Sequence, residues 1–502
     1  MQTFEVRPIK AGENLPRERQ LAWRIAEMAA GAWDPDPAVD EMVGNRVIDN
    51  AGVALAALNR HPVAVARAQA LGHPREGGAP LFGLPTARRF DCGWAAWANA
   101  VAVRELDFHD NIMAAETCHP GDCIPTLLAV AQQTGRTGRD LIRAVATSYE
   151  TQLQLSRAIA LNPHRIDHVG HLGPAIASGL GALLGLEAEV IYQGVQHAAH
   201  VSVATRQGRK GQLSSWKAYA PGHVGKCAIE AIDRAMRGET SPSPVWEGDY
   251  GIIAVLLDGP EASYRLELPE GREPRRGILS TFTKEHSAGY HGNALIDLAK
   301  KVRGRIADLR QIEAVDIYSK TYTHVVMGSG SGDPEKYDPG ASRETLDHSA
   351  MFIFAIALED GDWHHERSYA PERRRPETVA LWRKVRTHED AEWNRRYYDE
   401  PDPLKKDQGG RVEITLKSGE KIVDELAVAN AHPRGETPFG RPQYIAKTDK
   451  LIEGRVSAAE RTRFLEMVDA LPGLDAARLA QLNLVCDRMK VVPSARDTKG
   501  IF

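Results

Sequence analysis

Through the first half of the chain, apolar residues recur at the three-to-four spacing of an amphipathic helix. In Arg19–Ala30 (RQLAWRIAEMAA), Leu21, Ile25 and Met28 fall on one stripe. Thr126–Gln133 and Leu141–Ile159 continue the pattern. Pro174–Leu186 differs, being almost wholly Ala, Gly and Leu with no polar face. Such a helix is predicted to be buried on all sides, and its small residues allow close backbone approach at the centre of a bundle. Val190–Val203 puts His197 and His200 three residues apart on one helical face.

The texture changes near Leu266. Glu267–Gly277 (ELPEGREPRRG) is rich in Pro, Gly and charge and reads as a linker. Ile312–Tyr318 is β-branched and reads as a strand, and Val412–Leu416 with Lys421–Leu426 flanks a Ser418-Gly419 hairpin turn. Between them lie a helical run at Ser349–Leu358 and a charged segment at Arg373–Glu400. Ala458–Leu471 and Asp475–Cys486 return to helical spacing. The predicted fold is mainly α with an α+β lobe: a helical domain of residues 1–270 and 438–502, interrupted by an α+β lid of residues 271–437. There is no solenoid repeat and no low-complexity tract.

Composition adds exclusions. The 502 residues are 42% hydrophobic and 26% charged, and 63 Lys+Arg against 67 Asp+Glu leave a net charge of −4. That balance argues against a nucleic-acid partner, which draws a basic excess, but not against a small anion. The most apolar stretch, Ala175–Leu186, is short of the ~18 residues of a membrane span, and MQTFEVRPIK has no secretory apolar region. Cys92, Cys118, Cys123, Cys227 and Cys486 are sparse and odd in number, which points to a reducing cytoplasm rather than a disulfide framework.

The densest chemistry lies in Leu106–Thr126 (LDFHDNIMAAETCHPGDCIPT), with Asp107, His109, Asp110, Glu116, His119 and Asp122 and no Lys or Arg. His119-Pro120-Gly121-Asp122 before an apolar run reads as a helix start. Metal-ligand spacings such as HExxH or paired CxxC are missing, so no metal or iron–sulfur site is expected. LSSWKAYAPGHVGK (Leu213–Lys226) sets Lys217, His223 and Lys226 among small residues; alone it reads as a surface loop, or as a lysine placed to approach an anion. GSGSGD (Gly328–Asp333) lacks the Lys-Ser/Thr of a phosphate loop and reads as a flexible loop. RETLDHS (Arg343–Ser349) leads into an apolar helix, either as a cap or as an anion site where Arg343 offers a carboxylate fork and His348 and Ser349 sit at the helix entrance.

Taken together, these blocks resemble the MmgE/PrpD family, and within it the 2-methylcitrate dehydratases. Leu106–Asp122 is similar to the family's most recognisable segment, Asp167-His168-Val169 to a second and SSWKAYAPG (Ser214–Gly222) to a third. TFTKEHSA (Thr281–Ala288), GSGSGDPEKYDP (Gly328–Pro339), RETLDHS and HPRGETP (His432–Pro438) follow in family order. The sequence departs at Asn111, where relatives commonly have Thr, at His109, where Asp or Asn is common, and at Lys284 and His286, where many read Pro-Ala-Glu-Phe. The resemblance implies a large helical domain with a late-inserted α+β lid, a homodimer, an active site between the domains, no cofactor and a small tricarboxylate substrate. The same family holds cis-aconitate decarboxylases and an iminodisuccinate epimerase.

Dehydrating 2-methylcitrate means removing a proton beside a carboxylate and expelling hydroxide. The enolate needs nearby positive charge and the leaving group needs a proton. Asp107 and His119 are expected to form the acid/base pair, with Lys217 clamping a substrate carboxylate. Arg343, His348 and Ser349 would bind the remaining carboxylates on lid closure, with Asn111 and His168 also on the substrate. His171, His197, His200 and His291 are expected to be structural. The competing readings are a decarboxylase or isomerase of a related tricarboxylate, a non-catalytic carboxylate-binding protein, and a metallohydrolase using the His/Asp segment.

Overall fold

The computed structural model describes residues 1–10, 12–487 and 500–502. β1 (Gln2–Val6) leads into α1 (Leu21–Ala30), whose Leu21, Ile25 and Met28 all turn inward. α2 (Pro37–Ala56) starts on an Asp36 cap with proline in its first turn, and α3 (His61–Leu71) and β2 (Pro74–Ala79) follow. α4 (Cys92–Glu105) ends at the candidate site, and the two-residue strands β3 (Ile112–Met113) and β4 (Thr117–Cys118) fold back on one another there. α5 (Ile124–Gln133), α6 (Gly138–Ala158) with its reciprocal Thr137–Asp140 cap, α7 (Val169–Leu184), α8 (Ala188–Ser202) and α9 (Trp216–Met236) complete the main bundle.

α7 is enclosed along nearly its whole length, as its missing polar face predicts. On α8, His197 is buried whereas His200, one turn nearer the helix end, is exposed. After the short α10 (Ile252–Leu256), β5 (Tyr264–Leu268) pairs antiparallel with β1.

The Glu267–Gly277 stretch is not a free linker. Its start belongs to β5, and Arg275 is buried, donating to Thr147 Oγ1 at 2.8 Å, to Gly31 O at 3.1 Å and to Met28 O. The carbonyls left unpaired at the end of α1 supply that site.

A second core gathers side chains between Ala288 and Ile422. It contains α11 (Tyr290–Arg303), β6 (Ile312–Ser319), α12 (Arg343–Leu346), α13 (Ala350–Asp360), α14 (Pro376–Trp382), β7 (Val385–Glu389) and α15 (Ala391–Tyr398), with β8 (Gly410–Leu416) and β9 (Lys421–Leu426). The charged Arg373–Glu400 segment thus becomes helix, strand and helix. The sheet order is β7-β6-β8-β9, parallel at β6/β7 and antiparallel elsewhere. Gly419, at a φ of 87°, makes the β8–β9 turn that only glycine adopts without cost. The Gly328–Asp333 loop is pinned rather than floppy: Ser329 N–H donates to Thr387 Oγ1 at 2.9 Å and Lys210 Nζ to Ser331 O at 2.7 Å.

The chain then rejoins the first core through α16 (Arg441–Ile452), α17 (Ala458–Asp469) and α18 (Ala476–Leu479). The expected Asp475–Cys486 helix is only that last short turn. Asn483 donates to Leu81 O and Leu84 O at 3.2 and 2.8 Å, and Gly83 N–H to Leu484 O at 2.8 Å, which draws the chain into extended pairing instead. Among the described residues no helix is long and apolar enough to cross a membrane.

Candidate active site

α4 delivers its last turn to the face between the two cores, and the chain then bends sharply. Asp107 adopts a φ of 48°, a left-handed conformation costly for a residue with a side chain. Its buried carboxylate collects three cations from three elements: Lys217 Nζ of α9 at 3.1 Å from Oδ2, Arg104 Nη1 of α4 at 3.5 Å from Oδ1, and Lys284 Nζ against Oδ1. Lys284 also donates to the Asp107 carbonyl at 2.8 Å. Burial alone pushes the Asp107 carboxyl up, but Lys284, Lys217 and Arg104 together hold it well below the usual carboxylate range. Burial in turn brings the Lys284 ammonium down to about 8, against the pull of Asp107. This explains a segment rich in acids without Lys or Arg of its own: Arg104 reaches in from the preceding turn of α4, and Lys217 and Lys284 arrive from far along the chain.

The β3–β4 hairpin, with Ile112 opposite Cys118, brings the flanking Asn111 and His119 to the same open end. Backbone bonds between Asn111 and Phe282 (2.9 and 3.2 Å) tie this loop to Thr281–Lys284, which is how Lys284 reaches Asp107. His119 Nδ1 lies 2.9 Å from the Asp110 carbonyl. A carbonyl only accepts, so Nδ1 carries the proton and Nε2 holds the free lone pair. Nε2 lies 3.9 Å from Asp107 Oδ1. Burial, then Arg104 and Lys284, keep the His119 pKa well below 6.5, so the ring is neutral at pH 7.

Asp110 is fixed in turn by the Gly121 N–H at 2.8 Å, Tyr149 OH at 2.6 Å and Arg46 Nε at 3.3 Å. A Cβ at Gly121 would meet Asp110 Oδ1 at 2.6 Å, so the His119–Asp122 turn requires glycine there. His109 sits 2.9 Å from Asp122, buried behind the site.

His168 forms a second oriented imidazole. Its Nδ1 lies 3.0 Å from Asp167 Oδ1, and Asp167 also accepts from Arg209 Nε at 2.9 Å. Among the described residues its Nε2 has no hydrogen-bond partner, and neither do the side-chain amide atoms of Asn111. Buried polar atoms left unpaired are costly unless a ligand or water meets them.

Lys217 is buried on α9, not displayed on a surface loop. Its ammonium lies 2.7 Å from Asp347 Oδ1, 3.1 Å from Asp107 Oδ2 and 3.2 Å from His348 Nδ1. Asp107, Asp347 and His348 also form a cluster with metal-ligand geometry. The Lys217 ammonium already stands among those atoms and supplies the positive charge they face.

Of the lobe residues singled out in sequence, His348 lines the chamber and the other two do not. Arg343 is spent on Asp347 Oδ2 and on the Glu105 and Leu106 carbonyls, at 3.3, 3.5 and 3.3 Å. It clamps the lobe to the end of α4. Ser349 caps α13, accepting from Phe352 N–H at 3.2 Å and donating to Lys336 O at 2.8 Å. The capping reading of RETLDHS therefore fits Ser349, whereas Arg343 serves as an ion-pair and carbonyl clamp.

The residues converge on a narrow chamber of about 60 Å³, lined by Asp107, Asn111, His119, His168, Lys217 and His348. Its wall also holds His291, expected to be structural, and Arg104, Arg206, Arg209 and Tyr322, which the sequence reading did not assign. His291 is buried, and among the described residues neither ring nitrogen has a hydrogen-bond partner, so it groups with the chamber rather than with the structural histidines. The TFTKEHSA block was the available signal for Lys284, and its adjacency to the Asn111 backbone carries it. His171, by contrast, is held by the Ile159 carbonyl at 2.9 Å and is structural, and neither His197 nor His200 lines the chamber.

Residues 19–265 match the MmgE/PrpD N-terminal domain and residues 286–472 the MmgE/PrpD C-terminal domain. The chain belongs to the MmgE/PrpD family. The C-terminal match runs on through the whole of α16 and α17, which pack in the first core. Among family relatives, the chain is 26% identical to a 2-methylcitrate dehydratase of Cupriavidus necator, covering 77% of this chain and 79% of that one. It is 24% identical to a 2-methylcitrate dehydratase of Escherichia coli K12, over 77% and 80% of the two chains. It is also 24% identical to an alkylcitrate dehydratase of a fungal species, over 76% and 74%.

Proposed function

We propose that this MmgE/PrpD protein is a hydro-lyase that removes water from 2-methylcitrate to give 2-methyl-cis-aconitate, without a cofactor. It would act in propionate catabolism as a cytoplasmic homodimer. The observation that carries the reading is His119: a neutral imidazole with Nε2 free, set against a chamber wall of Arg104, Lys217, Arg206 and Arg209. Dehydratase relatives at 24–26% identity over most of the chain support the reaction class.

In this reading His119 Nε2 takes the proton from the carbon beside a carboxylate. Asp107, surrounded by cations, is too weak a base for that step. It holds Lys217 and Lys284 in place instead. The enolate charge that develops is met by the ammonium and guanidinium groups of the wall, in a site from which bulk water is excluded. Once protonated, His119 is a strong acid because its pKa is depressed. It returns the same proton to the departing hydroxyl, which leaves as water as the double bond forms.

The test uses purified protein without added metal. Dehydration raises ultraviolet absorbance through the new conjugated double bond and releases no CO₂, whereas a decarboxylase would release it. His119→Ala and Lys217→Ala, each checked for folding, are expected to lose ~10²–10⁴ in kcat. Near wild-type turnover in either variant removes that residue from its role, and no turnover by the wild type on 2-methylcitrate, citrate or cis-aconitate sinks the reading.

A further inference from the structure

The Lys217 ammonium is asked to hold a substrate carboxylate, yet two protein carboxylates already flank it: Asp347 Oδ1 at 2.7 Å and Asp107 Oδ2 at 3.1 Å. His348, its third neighbour, adds no charge, because burial brings the imidazole down to about 4. One ammonium between two carboxylates makes a negative group, and a negative group repels a polyanion. Binding therefore needs further cations that are not themselves spent on the substrate.

Two side chains outside the chamber supply them. Arg343 Nη1 lies 3.3 Å from Asp347 Oδ2, the oxygen that Lys217 leaves free. Lys284 does the same for Asp107. It is fully buried and does not line the chamber, and among the described residues its ammonium donates only to Asp107, at Oδ1 and at the carbonyl 2.8 Å away. Arg104, which does line the chamber, stands off from Oδ1 at 3.5 Å, and among the described residues its Nε has no hydrogen-bond partner. With Lys284 and Arg343 in place, the group of Lys217 and its two carboxylates turns from one charge negative to one charge positive. Lys284 stands where many members of the family read Pro-Ala-Glu-Phe, so this charge belongs to the chain rather than to the family pattern.

We propose that Lys284 is a positioning residue that neutralises Asp107 from outside the chamber and so leaves the Lys217 ammonium free for a substrate carboxylate. This rests on the reading of Lys217 as the carboxylate clamp.

The experiment is a double-mutant cycle on the intact protein. Titration calorimetry gives Kd for propane-1,2,3-tricarboxylate, which has no hydroxyl to lose, so binding is read apart from turnover. Lys284→Met is expected to weaken binding at least about tenfold, because Asp107 then claims Lys217. Adding Asp107→Asn removes the competing charge and is expected to restore affinity to within about threefold of the wild type. Asparagine tolerates the left-handed backbone at that position. Unchanged affinity in Lys284→Met overturns the proposal. A loss that Asp107→Asn does not recover assigns Lys284 to the architecture of the site and overturns it too. If Lys284→Met does not fold alone, the Asp107→Asn background decides: equal affinity with and without Lys284→Met supports the proposal, and a loss of about tenfold overturns it. Wild-type protein that binds no tricarboxylate overturns both this assignment and the clamp. The expected cycle without turnover of 2-methylcitrate defeats only the hydro-lyase reading.

Discussion

Asp107 and His119 sit side by side under opposite influences. Three cations keep the carboxylate ionised, and burial beside two of them keeps the imidazole neutral. This has a consequence for the pH profile. A base must be unprotonated to work, and a pKa below 6.5 moves the acid limb of kcat downward. Activity is therefore expected to hold as pH falls from about 7.5 to the ordinary histidine value of ~6.5 and to decline only below it. A limb at or above 6.5 in the measured profile rules out His119 as the base. At this scale the sequence was informative but incomplete. The acids and imidazoles of Leu106–Asp122 stood out because they cluster along the chain. Their cationic partners Arg104, Lys284, Arg206 and Arg209 are ordinary residues until the fold gathers them. Arg343 and Ser349 were expected on the substrate, but neither lines the chamber: Arg343 pairs with Asp347 and Ser349 caps a helix, and a sequence does not tell such roles from an anion site.

At the scale of elements, the α7–α8 contact shows what the small residues are for. A Cβ at Gly173 would lie 2.8 Å from Ser202 Cβ and 3.0 Å from the Ala198 carbonyl of α8. Gly173→Ala is therefore expected to cost about 1–3 kcal/mol, read as a lower midpoint in denaturant. Gly473, with nothing within 4 Å of a built Cβ, is the control, and its replacement by Ala is expected to stay within about 0.5 kcal/mol. Equal effects at the two positions would show that close packing of α7 contributes little. The helices of this bundle were readable because their periodicity is strong. The β3–β4 hairpin was not, because two-residue strands carry no period, yet it places both Asn111 and His119. Asp475–Cys486 misled for the opposite reason: its helical spacing is real, but tertiary hydrogen bonds from Asn483 outweigh it.

For the whole molecule, several histidines are buried neutral. His171 and His432 are brought down to about 4 by burial, and His119, His168 and His291 are also lowered by burial. An unfolded chain takes up protons at these rings below ~6.5 while the folded one does not, so stability falls as pH drops from 6.5 toward 4. Glu105 and Glu247, raised by burial to about 7, act the other way, since the folded form keeps protons that the unfolded form loses above its ordinary value. Glu116, Glu150 and Asp360 are raised by burial as well, but His197, His348, His364 and His365 are lowered by it, so the imidazoles outnumber the carboxyls and set the net direction. Denaturant midpoints are expected to fall between pH 6.5 and 4.5, before the salt-bridged Asp107 and Asp167 titrate. A midpoint that rises over that interval would show that the raised carboxyls dominate. The interrupted arrangement of this fold was visible as a change of texture near Leu266. The anchoring of the first crossing by buried Arg275 was not, because an arginine among Pro and Gly looks solvated.

The lobe is joined to the body by two passes of the chain, and the rings of Phe282 and His432 touch where they cross, with centroids 4.7 Å apart. Lys284, which holds Asp107, lies on the first tether, whereas Asp347 and His348 belong to the lobe. Lys217 on the body thus divides its charge between one partner from its own domain and two from the other.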